Sequence, residues 1–185
     1  MISLYALWLP ILVSAVIVFV ASSLIHMVLP WHKGDYPPVP EEEKILDALR
    51  PFGIPPGDYL LPRPKPGEMR DPAFVEKLNR GPVLLMTVWK NGGMNMGSNL
   101  AQWFVFSLVI SVFSAYLTGR AVPPGTDYLQ VFRFAGTVAF MGYSVALAEL
   151  SIWYQRSWAL TIKGMVDGLI YGCLTGGTFG WLWPR

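Results

Sequence analysis

The stretch from Ser3 to Leu29 constrains this chain more than any other. It is almost wholly apolar and holds no acidic or basic residue except His26. Wound as a helix at about 1.5 Å per residue, it rises roughly 40 Å, more than the ~30 Å of a bilayer's hydrocarbon core. The run lacks the basic lead-in and the small-residue cleavage site of a signal peptide, and its apolar part is too long for one. Pro10 lies near its start and is expected to bend the helix without breaking it. The composition agrees with a membrane protein: 53% of the residues are hydrophobic and only 14% are charged, against ~25% in soluble domains.

Three further runs approach or exceed the ~20 residues needed to cross a membrane. They give expected helices over 98–119, 127–153 and 159–183 after the first over 1–29. Pro123-Pro124-Gly125 breaks one link, and the link from Tyr154 to Trp158 is short, so successive helices become antiparallel neighbours. The fold class that follows is an all-α integral membrane protein, a four-transmembrane-helix antiparallel bundle with both termini on one side. The tryptophans fit, because Trp8, Trp181 and Trp183 fall at one expected interface and Trp31, Trp89, Trp103, Trp153 and Trp158 at or near the other.

Residues 30–97 form the one large extramembrane region, with nine basic and nine acidic residues. Its Pro-rich stretches read as extended connectors. Between them, Glu41 to Leu49 and Pro72 to Asn79 read as short helices, the second capped by Asp71. Pro82 to Trp89 reads as a strand or extended arm. With fewer than ~70 residues the region makes a marginal core, so it is expected to cap the bundle and not to stand alone. Lys33, following an uncharged first span, tips the positive-inside rule slightly toward a cytoplasmic loop.

The last helix repeats glycine every fourth residue, at Gly164, Gly168, Gly172, Gly176 and Gly180. Such a row lets a neighbouring backbone approach closely, and close packing drives helix association in lipid. The second helix offers a matching row at Ser107, Ser111, Ala115 and Gly119. The pattern predicts close packing, either within the bundle or against another transmembrane subunit or a second copy.

Ionisable residues at membrane depth are costly and face a partner or water. Glu149, Lys163 and Asp167 fall at similar depth on consecutive helices, and Lys163 and Asp167 are spaced to meet on one helix face. They read as a charge cluster that fixes register, or as an ion-handling site. His26, His32 and Asp35 form the one metal-like set, with Met94 and Met96 returning to the same membrane face; imidazole with thioether suits copper. Pro30 stands between the histidines, so no single helix face presents both.

The remaining motifs are absent. No phosphate-binding loop, dinucleotide fingerprint, HExxH or nucleophile elbow occurs. Lys and Arg total 14 against 12 Asp and Glu, which leaves no basic surface for nucleic acid. Cys173 is alone and forms no internal disulfide. No cofactor is expected beyond bound lipid.

At HMVLPWHKGDY, IPPGDYLLP, RGPVLLMTV and VFRFAGTVAFMGYS, the chain resembles a group of small uncharacterised bacterial multi-pass membrane proteins of about this length. The resemblance runs along the whole chain and implies a bacterial inner-membrane placement and a one-loop, four-span design. That group has no assigned activity, so it transfers no functional residue. The sequence reading is therefore a non-catalytic accessory subunit of a larger membrane complex, docking through the small-residue faces. The alternatives are a small transporter or ion-conducting protein using Glu149, Asp167 and Lys163, and a copper-type metal-binding membrane protein.

Overall fold

A computed structural model of the chain describes residues 2–185. These residues form two compact units, one of residues 2–36 and 95–185, the other of residues 37–94.

The first unit is helical. Its opening turn, Leu4–Leu7, is capped by the Ser3 hydroxyl, which accepts from the Ala6 N–H, and runs into α1 (Trp8–Ser23). Pro10 falls in the first turn of α1, where its missing N–H has no intrahelical partner to lose, and the helix continues through it. The helix widens into a π-turn at Leu24–Val28, and Leu29 and Pro30 end it. Helix α4 (Met96–Ala121) starts at Asn95, whose side chain accepts from the Ser98 N–H. Helix α5 (Tyr128–Tyr143) starts at Asp127, which caps Gln130 in the same way. After a turn at Val145–Leu147 come α6 (Ala148–Tyr154) and α7 (Trp158–Trp181).

Around the ring, α1 packs on α4 and α7, and α5 packs on the same two helices. Helices α4 and α7 thus occupy opposite corners. The Ile2 N–H donates to the Gly119 carbonyl, and the Trp183 indole donates to the Pro123 carbonyl, so both termini meet the link between α4 and α5 at one end.

Three stretches are long and apolar enough to cross a membrane: Leu4–Val28, Met96–Ala121 and Tyr128–Tyr154. Helix α7 has the length, but its glycines, Lys163 and Asp167 dilute its hydropathy, so the expected fourth span is not among them. The third stretch is not the continuous helix expected over 127–153. It breaks at Ser144, which turns its hydroxyl to the Met165 carbonyl on α7.

The glycine row lies against α5. A Cβ on Gly172 would sit 3.0 Å from the Gly136 carbonyl oxygen, and one on Gly176 would sit 2.7 Å from that of Phe132. Only hydrogen fits at these points. The second small row is also occupied within the bundle: Ser107, Ser111 and Ala115 are fully buried, the Ser14 hydroxyl donates to Ser111 Oγ at 3.0 Å, and Gly119 abuts Ile2 and Leu7.

The second unit holds α2 (Glu42–Leu49), β1 (Gly57–Leu61), α3 (Pro72–Arg80) and β2 (Leu84–Val88). The strands pair antiparallel with Tyr59 opposite Met86, and Thr87 donates to Asp58 across them at 2.6 Å. Asp71 caps α3 by accepting from Ala73, and Phe74 is its buried residue. Strand β1 lies in what reads from sequence as a connector. The expected loop boundary at 30 also moves, since residues 30–36 belong with the helices.

Candidate functional site

The π-turn and the Pro30 stop decide where the site forms. The wider turn shifts the register of His26, and the chain then folds back through a tight turn at Pro30–His32. Pro30 does keep the two histidines off one helix face, but the fold-back stacks the His32 ring on His26, with centroids 4.3 Å apart and planes 11° from parallel. His26 Nδ1 lies 3.0 Å from the Ser22 carbonyl, an acceptor, so Nδ1 carries the proton and Nε2 is left free.

His32 sits between two carboxylates. Its Nδ1 is 2.6 Å from Asp35 Oδ2, and its Nε2 is 2.9 Å from Asp167 Oδ2. Lys163 donates to the other oxygen of Asp35 at 2.7 Å and to the Trp31 carbonyl at 2.9 Å, and stands over the Trp31 ring. Lys163 and Asp167 share a helix face as their spacing predicts, yet each bonds to the 31–35 turn. Arg156 donates to the Tyr36 hydroxyl at 3.3 Å.

Burial grades inward. Asp35 and His32 are partly shielded, whereas Asp167 is 3% exposed. Asp167 Oδ1 has no partner among the described residues. A cavity of about 350 Å³ opens beside it, lined by both histidines, Asp35, Arg156, Gly164 and Asp167 among others. The Lys163 ammonium, and after it the His32 ring, hold the Asp35 carboxyl below the usual carboxylate range.

No known family, curated protein or solved structure matches this chain.

Lys163 and Asp167 join His26, His32 and Asp35 in one cluster, although by sequence they read as two separate sets. Glu149 is exposed on α6 and lies outside that cluster. Met96 opens α4, exposed and away from the cavity, and Met94 belongs to the second unit. One ligand atom each from His26, His32 and Asp167 lie within 4.8 Å of one another. The imidazole planes, however, are parallel and stacked, so an ion in the plane of one ring lies off the plane of the other.

Charge balance gives the chemistry. Asp35 and Asp167 bring two negative charges, and Lys163 and Arg156 two positive ones. With both carboxylates ionised, hydrogen bonds from both His32 nitrogens require a second proton on that ring.

Proposed function

We propose that this chain is a proton-handling protein of the bacterial inner membrane, a four-span bundle in which α7 is the fourth span. The observation that carries the reading is His32 bridging Asp35 and Asp167, with the second oxygen of Asp167 buried and unpartnered among the described residues and a cavity lined by all three residues beside it. Ionisable groups are retained at such depth where they face a partner or a pathway. A proton added or lost there changes the charge of a shielded site by one unit. The groups that set its response are His26, His32, Asp35, Tyr36, Arg156, Lys163 and Asp167, with Tyr171 next inward on α7.

We read α7 as a span despite its low hydropathy, because its polar residues and glycines are turned to contacts inside the bundle. Lys163 and Asp167 point to the site, its glycines to α5, and α1 and α5 flank it on two sides. The small-residue rows that suggested a docking subunit are spent on contacts inside the bundle, which removes them as support for that role.

The test is proton flux in proteoliposomes with a trapped pH dye and a valinomycin-clamped potassium gradient. The wild-type protein is expected to pass protons, and Asp167→Asn and His32→Gln to reduce the flux at least tenfold. Absence of flux in the wild type, or flux indifferent to both substitutions, overturns the proposal.

A further inference from the structure

Below the site, the bundle interior is unusually polar. Asp167, Tyr171 and Thr175 recur every fourth residue on α7, so they lie on one face and descend about 12 Å at 1.5 Å per residue. From the opposite corner, α4 presents Ser107, Ser111, Ser114 and Thr118, all fully buried. Tyr143 on α5 stands between the two helices, its ring 5.4 Å from that of Tyr171 and its hydroxyl beside Ser107.

Serine and threonine in apolar helices usually return their hydroxyl to a carbonyl one turn back. Several here do so: Ser107 donates to Trp103, Thr178 to Leu174, and Ser22 to Phe19. Others do not. Ser114 Oγ, Thr118 Oγ1, Tyr171 Oη and Thr175 Oγ1 are buried without a hydrogen-bond partner among the described residues, as is Asp167 Oδ1, while the Tyr143 hydroxyl is buried against Ser107. Buried polar atoms are nearly always paired, and each unpaired one costs about 1–3 kcal/mol. These groups are buried in the bundle: a column of Asp167, Tyr171 and Thr175 descends one face of α7 from the His32–Asp167 pair, Tyr143 adjoins Tyr171 from α5, and Ser114 and Thr118 stand on α4 in the opposite corner. At the far end the column meets an apolar plug of Leu7, Val122, Val131, Phe179 and Trp183, near the chain termini.

We propose that this hydroxyl column is the conduction path for the proton held at the site, running from Asp167 through Tyr171 and Tyr143 to Thr175, Ser114 and Thr118, and ending at the Phe179 plug. Each hydroxyl oxygen, or a water bound to it, accepts the incoming proton on a lone pair and hands on the proton it held. No charge stays in the column after a transfer, and no electron moves. The plug interrupts the file, so conduction requires its side chains to part, and the path is gated at that end. The inference rests on the proton-handling reading of the site.

The test uses the full chain in the same proteoliposomes, with Tyr171→Phe and Thr175→Val, which remove a hydroxyl and little volume, and Thr175→Ser, which keeps it. Flux is expected to fall at least tenfold in the first two and to return near wild type in Thr175→Ser. Infrared difference spectra of the Asp167 carboxyl band against pH, assigned with Asp167→Asn, are expected to be unchanged in Thr175→Val. Wild-type flux that persists in both Tyr171→Phe and Thr175→Val overturns the column and leaves the site standing. No wild-type flux at all overturns both. Loss of flux in Thr175→Ser equal to that in Thr175→Val assigns Thr175 to packing and overturns its place in the path.

Discussion

Substitution of Gly176 by alanine measures how tightly α7 is seated. The added Cβ would lie 2.7 Å from the Phe132 carbonyl oxygen, 3.0 Å from the Gly136 Cα and 3.0 Å from a Phe132 ring carbon. Comfortable carbon contacts lie at about 3.5–4.0 Å, so the overlap is half an ångström or more. Two of the three atoms are backbone, and relief requires the helices to move apart. Overpacking of this kind costs about 1–3 kcal/mol, and alanine's better helix propensity returns up to about 1 kcal/mol. A net loss of about 1–2 kcal/mol lowers the melting temperature by roughly 2–8 °C for a chain of this size. Gly164 is the internal control. A Cβ there meets only the end of the Leu147 side chain at 3.2 Å, which can swing aside, so Gly164→Ala should be neutral or stabilising. The assay is thermal unfolding in mild detergent, followed by helical circular dichroism and tryptophan fluorescence. Gly176→Ala melting as high as wild type, or Gly164→Ala costing as much as Gly176→Ala, would refute the packing of α7 on α5.

Lys163→Met removes the largest influence holding the Asp35 carboxyl down. A depressed carboxyl stabilises the fold above its ordinary pKa and loses that contribution as pH falls through the folded value, so the acid-unfolding midpoint of the variant should move to higher pH; an unmoved midpoint contradicts the pair. Ser14→Ala leaves Ser111 without its 3.0 Å donor across α1 and α4, and should cost about 0.5–1.5 kcal/mol in the same melts. Zinc, added on the side of the site, should occupy His32 and Asp167 and slow proton flux, and His26→Ala should weaken that block without abolishing basal flux.

Local chemistry made several elements readable from sequence. Asp71 followed by Pro72 announced α3, the acidic start at residues 41–43 announced α2, and the Leu84–Val88 run of apolar and β-branched residues announced a strand. Strand β1 was hidden because Gly57–Leu61 sits among prolines and is a strand only by virtue of its partner. The break at Ser144 carries no proline or glycine at the break itself; its cause is a carbonyl on another helix. The site was legible in pieces. Both histidines and all three charged residues at its centre stand out, yet the pairing of His32 with Asp167 spans 135 positions, and a π-turn has no strong sequence signature. The hydroxyl column was half visible, since Ser107 and Ser111 read as small packing residues and only their buried neighbours, Ser114, Thr118 and Thr175, reveal the polarity of the interior.

The separation of the two halves of the site along the chain also orders its biogenesis. The 26–36 turn leaves the ribosome well before α7 does. Until α7 arrives, His32 and Asp35 lack both Lys163 and Asp167, and α7 is itself too polar to enter lipid comfortably alone. In the four-span arrangement its arrival solves both problems together: the glycines find α5 and the carboxylate finds its imidazole.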